Sequence, residues 1–371
     1  MKKNIFLVVL LMTIIVSWSC SERETGPGDP PYIEQFPFTI ASPESQNFDA
    51  SRLNELDSKI SSGIYSEIHS LLIIRNGSLV FEKYYKGYSR EMPHNLFSVT
   101  KSVTSLLVGV ALYEGKIKSL DDKIVDLLSE QNPILNLDDR KKAITIKNLL
   151  TMTSGIKWME FNDSYSNPTS DLFGLSLAQD WIKFMIDKPM AADPGTTFNY
   201  NSGNTTLISG ILKNALGKET ALYGDEKLFE PLNIRNYQWE KGANGITNTG
   251  WGLIMRSIDM AIIGDLVLHQ GLYKGIRLIP EEWINESTQK QISVDTGSDY
   301  AMGWWRLGDS WSALLNNKDI YYASGFAGQY IIVIPHLNII IVSTAGNFTT
   351  QNKFFSAFRD FILPSIKDLN Q

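Results

Sequence analysis

A serine and a lysine stand three residues apart in Ser98-Val99-Thr100-Lys101, at the start of an apolar helical run. Side chains three positions apart share a helix face, so the Lys101 amine can reach the Ser98 hydroxyl. Free backbone N–H groups and the positive dipole end at a helix N-terminus favour a developing anion. The pair can therefore supply a nucleophilic oxygen, a proton acceptor and an oxyanion donor. A capping Ser98 with a solvated Lys101 is the alternative interpretation.

Three other serines in the chain share part of this pattern. The S-x-x-K spacing recurs at residues 154–157 and 287–290, but neither copy begins a long apolar helix. Residues 173–178, FGLSLA, approach a G-x-S-x-G nucleophile turn, yet they lack the final glycine and a leading strand. The setting therefore favours Ser98 over the other three.

The elements that would position Ser98 follow from hydrophobic periodicity. The helix beginning there carries Val, Leu and Val residues on one continuous face and ends near Gly115. Two strand-like runs, 71–75 and 78–84, precede it and flank Asn76-Gly77, a strong hairpin signal. Before them, Asp49 can cap a helix with a leucine and isoleucine face.

Strand character returns near the end of the chain, and helical patterns fill the middle. Residues 319–323, 329–334 and 338–344 are β-branched and aromatic. A last helix sets Phe354, Phe355, Phe358 and Phe361 near one face. The middle contains helical candidates at 146–152, 177–185, 205–215 and 258–269, and another beginning at Pro280.

This order predicts an α+β fold, with one antiparallel sheet built from both chain ends, flanked by helices and interrupted by a mostly helical insertion. The predicted domain covers residues 49–371. Its α/β part comprises about 49–115 and 290–371, and its helical part about 116–289.

Composition narrows the function classes. The chain has 371 residues, with 34 Lys and Arg against 40 Asp and Glu, a formal charge of −6 that argues against a nucleic-acid partner. Cys20 is the only cysteine, which excludes an intrachain disulfide and a cysteine nucleophile in the folded part. The four histidines form no metal-binding motif, so we predict neither a metal nor a cofactor.

The first twenty residues are typical of an export signal. Lys2 and Lys3 precede an apolar stretch, 5–16, which is too short to span a bilayer stably. Small residues then lead to Cys20, which resembles a bacterial lipoprotein signal with lipidation at that cysteine. Residues 1–20 are thus the predicted signal peptide and 21–48 a flexible tether. The expected location is the cell envelope, on the periplasmic or cell-surface side; ordinary secretion is the alternative.

Four ordered segments resemble one enzyme family. They are FSVTKS, LLTMTSG, FNYNSGN and ASGFAGQYIIVIP, supported by GWGLIMRSIDMAIIGDL and MGWW, and they run from about residue 71 to 347. This set resembles the serine β-lactamase and penicillin-recognising superfamily, class C-like branch, which includes related esterases and 6-aminohexanoate-oligomer hydrolases. The resemblance implies that fold and a serine acyl-enzyme mechanism without a cofactor.

The resemblance also implies roles for particular residues. Ser98 and Lys101 match the S-x-x-K pair, and Tyr200 matches the tyrosine of the family's Y-x-N motif as base or proton relay. Ser202 stands where that motif has asparagine. The family's third motif, K-T-G or H-T-G, corresponds here to Ala323, Ser324 and Gly325, and the Phe326 N–H would be the second oxyanion donor. Whether Lys101 or Tyr200 is the primary base stays open.

The predicted function is a serine hydrolase acting on a small ester or amide. Ala323 gives the third motif no cation for a substrate carboxylate, and Trp304, Trp305 and Phe326 are candidates for an apolar pocket. The alternatives are a β-lactamase or D-alanyl-D-alanine carboxypeptidase, or a catalytically silent peptidoglycan- or partner-binding protein on the same fold. Apart from the substrate, the expected partner is a membrane, contacted through the lipid on Cys20.

Overall fold

The computed structural model describes residues 36–65, 67–160, 166–315 and 318–369, without the side chains of residues 312 and 313. Residues 38–371 form one compact unit. The strands, in chain order, are β1 (Thr39–Ile40), β2 (Ile68–Arg75), β3 (Ser78–Tyr84), β4 (Pro93–Asn95), β5 (Tyr237–Trp239), β6 (Leu253–Arg256), β7 (Leu272–Tyr273), β8 (Ile276–Arg277), β9 (Ile292–Ser293), β10 (Ser298–Tyr300), β11 (Trp305–Leu307), β12 (Tyr321–Gly325), β13 (Gln329–Ile334) and β14 (Ile339–Ala345).

The α-helices lie mainly between β3 and β9. They are α1 (Ala50–Ser61), α2 (Val99–Tyr113), α3 (Ile124–Leu127), α4 (Asp139–Ala143), α5 (Ile146–Leu150), α6 (Asp171–Leu177), α7 (Trp181–Ile186), α8 (Ser202–Leu216), α9 (Thr220–Gly224), α10 (Ser257–Leu268), α11 (Glu281–Thr288), α12 (Ser312–Leu315), α13 (Phe354–Ala357) and α14 (Leu363–Ser365).

The central sheet joins the two ends of the chain. Its order is β1-β3-β2-β14-β13-β12-β11-β10-β9. The first hairpin turns at Asn76 and Gly77, both with positive φ, and β14 pairs with β2 through Ile341↔Ile73. Neighbouring strands are antiparallel except for the short parallel β1–β3 pair. The predicted α+β fold, with an antiparallel sheet from both ends, is confirmed.

Both faces of this sheet are covered by helices. On one face Ile73, Ile332 and Ile341 pack with apolar residues of α1 and of the segment from α13 to α14. On the other face α10 lies against β13 and β14: a Cβ added at Gly264 would come within 2.6 Å of Ile340 Cγ2. Burial on both faces explains the continuous apolar runs in these strands, which lack a clean alternation.

Several element boundaries differ from the predicted ones. The helix predicted at 177–185 is instead α6 and α7, with a break in which Asp180 caps α7 by accepting from Ile182 N. The segment predicted as a tether is structured over its last residues, because β1 pairs with β3 and Phe48 is fully buried. Residues 1–20, including Cys20, lie outside the described residues.

Candidate active site

Ser98 lies in the turn that leads into α2 and is only 9% exposed. The preceding Phe97 has a φ of +46°, an uncommon conformation for a bulky residue. Asn95 Oδ1 accepts from Phe97 N at 2.8 Å, and the Phe97 carbonyl accepts from Thr100 Oγ1 at 2.6 Å. Strained backbone held from both sides is typical of functional sites. The Ser98 hydroxyl makes no capping hydrogen bond, so a purely capping role is not supported.

Lys101 lies one turn further along α2 and is 2% exposed. Its Nζ lies 2.8 Å from Ser98 Oγ, 2.9 Å from Ser202 Oγ and 2.7 Å from the Gly250 carbonyl. Burial lowers the pKa of Lys101 to about 8, against an opposing effect of the Glu160 carboxylate. The alternative of a solvated Lys101 is therefore wrong. Lys101 can lose its proton near neutral pH while in contact with the Ser98 oxygen.

Tyr200 lies close to the Lys101 amine, just before α8. Lys101 Nζ is 5.0 Å from the centroid of the Tyr200 ring. The ring is half-buried and stacks on Trp305, with centroids 5.8 Å apart. Asn201 caps α8 by accepting from Asn204 N, which fixes the direction in which the chain enters the helix. The heads of α2 and α8 thus converge on Lys101.

Glu160 joins this group, although nothing in the sequence singled it out. Its Oε1 accepts from Ser202 Oγ at 2.7 Å, and its Oε2 accepts from Ser202 N and Trp158 Nε1, each at 2.8 Å. A carboxylate that accepts the N–H at the head of α8 is also stabilised by the helix dipole. Ser98, Lys101, Ser202 and Glu160 therefore form one continuous hydrogen-bonded chain.

The end of β12 approaches the Ser98 turn closely. A Cβ added at Gly325 would lie 2.2 Å from the Leu96 carbonyl oxygen, so only glycine permits this approach. The Phe326 and Phe97 rings are 5.5 Å apart at their centroids, edge to face. Gln329 Nε2 donates to the Phe326 carbonyl at 2.9 Å and fixes the turn. The Phe326 backbone therefore runs beside the nucleophile turn.

The two residues before Gly325 point in opposite directions. Ala323 pairs with Ile331 and is fully buried. Ser324 pairs with Tyr330, is half-buried and faces the Tyr330 hydroxyl. Its hydroxyl is therefore engaged on the side of the sheet opposite to Ala323.

Two clusters of aromatic rings lie near the Ser98 and Lys101 pair, one including Phe97 and the other including Tyr200. Phe97, Phe326 and Phe348 form one cluster with centroid distances of 5.5–6.0 Å, and Phe348 is 56% exposed. The second cluster comprises Phe198, Tyr200, Tyr300 and Trp305. Phe326 belongs to the first cluster and Trp305 to the second, and their role as walls of an apolar pocket stays a prediction. Trp304 is fully buried, so its ring does not reach a surface that a substrate could contact.

The other S-x-x-K copies lack this arrangement. Ser154 Oγ donates to Asn204 Oδ1 at 2.8 Å, and Ser287 Oγ donates to the Ile284 carbonyl. Lys290 forms an ion pair with Asp299 at 2.9 Å. Ser176 is exposed and donates to the Phe173 carbonyl. Of these serines, Ser98 alone contacts a lysine amine within the described ranges.

The part of the chain that the structure describes contains neither a candidate metal site nor a candidate membrane-spanning helix. No group of three or more His, Cys, Asp or Glu side chains there could hold a metal ion. No helix in the same residues is long and apolar enough to cross a bilayer.

Comparison with known families agrees with this geometry. The Beta-lactamase family model matches residues 69–357, well over half of the chain. The chain belongs to the Beta-lactamase family, and it is a serine hydrolase of that superfamily. The resemblance read from the ordered motifs is confirmed.

Individual relatives are distant but cover most of the chain. The 6-aminohexanoate-dimer hydrolase of Paenarthrobacter ureafaciens is 22% identical over 330 residues, 80% of this chain and 76% of that protein. The structure of a proposed 6-aminohexanoate-dimer hydrolase from Bacillus anthracis matches with a TM-score of 0.72 at 21% identity, covering 92% of this chain and 90% of the other. EstCE1, a hydrolase with promiscuous acyltransferase activity, matches with a TM-score of 0.68 at 16% identity, covering 85% and 98%. At these identities the structural likeness establishes the fold.

Proposed function

We propose that Ser98 is the nucleophile of an acyl-transfer reaction on a small, uncharged ester or amide. The observation that carries the proposal is the buried contact of 2.8 Å between Lys101 Nζ and Ser98 Oγ. A lysine excluded from water has a lowered pKa, and its neutral amine can accept the serine proton. A silent binding protein would have no need of a buried amine against this hydroxyl.

The reaction proceeds in two halves. Ser98 Oγ attacks the carbonyl carbon while its proton passes to the Lys101 and Tyr200 pair. The tetrahedral oxyanion accepts hydrogen bonds from the Ser98 and Phe326 backbone N–H groups. The close approach of Gly325, next to Phe326, to the Leu96 carbonyl, two residues before Ser98, supports this pairing of donors. The proton then moves to the leaving oxygen or nitrogen as that bond breaks. Water, deprotonated by the same pair, attacks the acyl-enzyme and releases the acid.

Charge in the site supports a neutral substrate over a β-lactam or a D-alanyl peptide. Those substrates carry a carboxylate beside the reacting carbonyl. Ala323 offers that carboxylate no cation. Glu160, which is two hydrogen bonds from Lys101 and three from Ser98, adds a charge of the same sign as the carboxylate. A missing charge-assisted hydrogen bond costs about 1.5–3 kcal/mol, or about ten- to a hundredfold in kcat/KM. The two aromatic clusters can instead bury apolar groups of the substrate.

The experiment that tests the nucleophile is covalent labelling. Treatment with a serine-directed phosphonate should add one adduct to the intact mass of the wild type, and Ser98→Ala should abolish it. Ser176→Ala is the matched control, because Ser176 is exposed and its hydroxyl bonds only to its own helix. A label that survives in Ser98→Ala would remove Ser98 from the reaction.

We also propose that the mature protein begins at Cys20 and is anchored to a membrane by lipid on that cysteine. The support is the sequence pattern of two lysines, an apolar stretch and a cysteine after small residues. The enzyme would then work in the cell envelope, on the periplasmic or cell-surface side.

A further inference from the structure

The hydrogen-bond partners of Lys101 decide where its lone pair points. As an ammonium, Lys101 donates three N–H groups, and the structure supplies three acceptors: Ser98 Oγ, Ser202 Oγ and the Gly250 carbonyl. As a neutral amine it keeps two N–H groups and gains one lone pair. The Gly250 carbonyl can only accept, so one N–H must stay there. The lone pair then faces either Ser98 or Ser202.

Glu160 settles the choice between these two serines. A carboxylate can only accept, so the hydrogen on Ser202 Oγ must point to Glu160 Oε1, 2.7 Å away. Ser202 then has only lone pairs to offer Lys101 and must accept its second N–H, at 2.9 Å. The remaining direction on Lys101 Nζ is the one toward the Ser98 hydroxyl. Without Glu160, Ser202 could turn its hydrogen to the amine and compete with Ser98.

We propose that Glu160 is a positioning residue: by holding the Ser202 hydrogen, it aims the Lys101 lone pair at the Ser98 hydroxyl. This inference rests on the proposed role of Ser98 and Lys101. The charged and titratable groups that face Lys101 are Glu160 and Tyr200. The Glu160 charge also raises the pKa of Lys101, against the effect of burial. Its removal should therefore lower that pKa further.

Replacing Glu160 by glutamine reverses the direction of the hydrogen bond between residue 160 and Ser202. Ser202 N and Trp158 Nε1 both donate to the same oxygen, Oε2, at 2.8 Å. In Glu160→Gln the amide oxygen must take that place, so the NH₂ group faces Ser202 Oγ and donates to it. The Ser202 hydrogen is then released toward Lys101. The variant is nearly isosteric, yet it reverses the one hydrogen bond that matters.

The decisive measurement is a rescue. Glu160→Gln should lower kcat/KM for a p-nitrophenyl ester by about tenfold or more, part of the general-base contribution. Adding Ser202→Ala removes the competing hydroxyl, so the double variant should be about fivefold or more active than Glu160→Gln alone, a coupling expected within one network. A double variant no more active than Glu160→Gln overturns the proposal, because a merely structural loss of Glu160 predicts additive damage.

The pH profile gives a second readout. The acidic limb of kcat/KM follows deprotonation of Lys101, so in Glu160→Gln it should move toward acid by about half a pH unit or more. The matched control is Asp171→Asn: Asp171 accepts from Met159 N at 2.7 Å and pairs with Lys188, so it ties the same loop without reaching Lys101. The acidic limb of the Asp171→Asn profile should stay at the wild-type pH. An equal shift in the control, or none in Glu160→Gln, contradicts the proposal.

Two precautions keep the outcome clear. If Glu160→Gln does not fold, Glu160→Asp retracts the oxygens from Ser202 and should show the same rescue by Ser202→Ala; absence of rescue there counts against the proposal equally. Phosphonate labelling of the wild type is measured in parallel. A wild type that is never labelled defeats the proposed function, whereas a labelled wild type without rescue defeats only the role of Glu160.

Discussion

The substitution Gly325→Ala tests whether the Phe326 N–H binds the oxyanion. The structure shows how far the added Cβ would displace the neighbouring backbone. The new Cβ would lie 2.2 Å from the Leu96 carbonyl oxygen and 3.0 Å from Gln329 Cβ, where ordinary contacts exceed 3.4 Å. β12 and the Ser98 turn must therefore separate by about an ångström, since a carbonyl in a tight turn cannot rotate away. The Leu96 carbonyl also accepts from Val99 N, so the head of α2 is disturbed as well.

The expected loss follows from the geometry of the oxyanion donors. If Phe326 N–H and Ser98 N–H both bind the oxyanion, a shift of this size misplaces one donor. The loss of one such donor costs about 10²–10³-fold in kcat, or about 2.7–4 kcal/mol. KM should change much less, because the oxyanion exists only in the transition state.

Steady-state hydrolysis of a p-nitrophenyl ester and the rate of phosphonate labelling measure this effect, with thermal unfolding as a check of the fold. Gly297→Ala is the control: a Cβ there meets Asp295 Oδ1 at 3.4 Å, an ordinary contact, and Gly297 lies at the far sheet edge. It should retain wild-type kcat. A folded Gly325→Ala variant with wild-type kcat would show that Phe326 N–H is not an oxyanion donor.

Three other predictions concern the base, the substrate and the anchor. kcat/KM should rise about tenfold per pH unit from pH 6 toward the Lys101 pKa of about 8, because only the neutral amine accepts a proton. Lys101→Met should abolish this pH dependence and lower kcat by at least about 10²-fold. Steady-state assays should give p-nitrophenyl esters a higher kcat/KM than a chromogenic cephalosporin; the reverse order would contradict the weight placed on Ala323. Detergent partitioning should retain the wild type in the detergent phase and release Cys20→Ser, and a freely soluble processed wild type would exclude the anchor.

Local patterns in the sequence were enough to predict most of the fold. The Asn76-Gly77 turn, the apolar face of α2 and the β-branched and aromatic runs at both chain ends each depend on neighbouring residues, and they agree with the structure. The division into α6 and α7 could not be read, because both halves are apolar and the break depends on Asp180 acting as a cap. The burial of Phe48 beneath the sheet also depends on contacts remote in sequence.

The candidate site divides in the same way. Ser98, Lys101, Tyr200 and Ser202 could be named because the first two lie one helical turn apart and the others match an ordered family motif. The structure brings these four residues together, while their catalytic roles stay predictions. Gly250 contributes only its backbone carbonyl, which every residue type carries, so the sequence could not identify it as an acceptor. Its location between α2 and α8 depends on how the whole insertion folds.

The proposed role of Glu160 follows from the presence of serine, instead of the family's asparagine, at position 202. Where the family motif ends in asparagine, the side chain has a fixed donor end and a fixed acceptor end, so its direction is set by its own chemistry. A serine hydroxyl rotates, and the same oxygen can donate to either neighbour. A site with Ser202 therefore needs an outside group to orient it, and an acceptor without hydrogens is the group that does so without ambiguity. Glu160 is such a group, 42 residues away in the chain and 2.7 Å away in space. The serine at position 202 is thus the reason that the proposed site needs the carboxylate of Glu160.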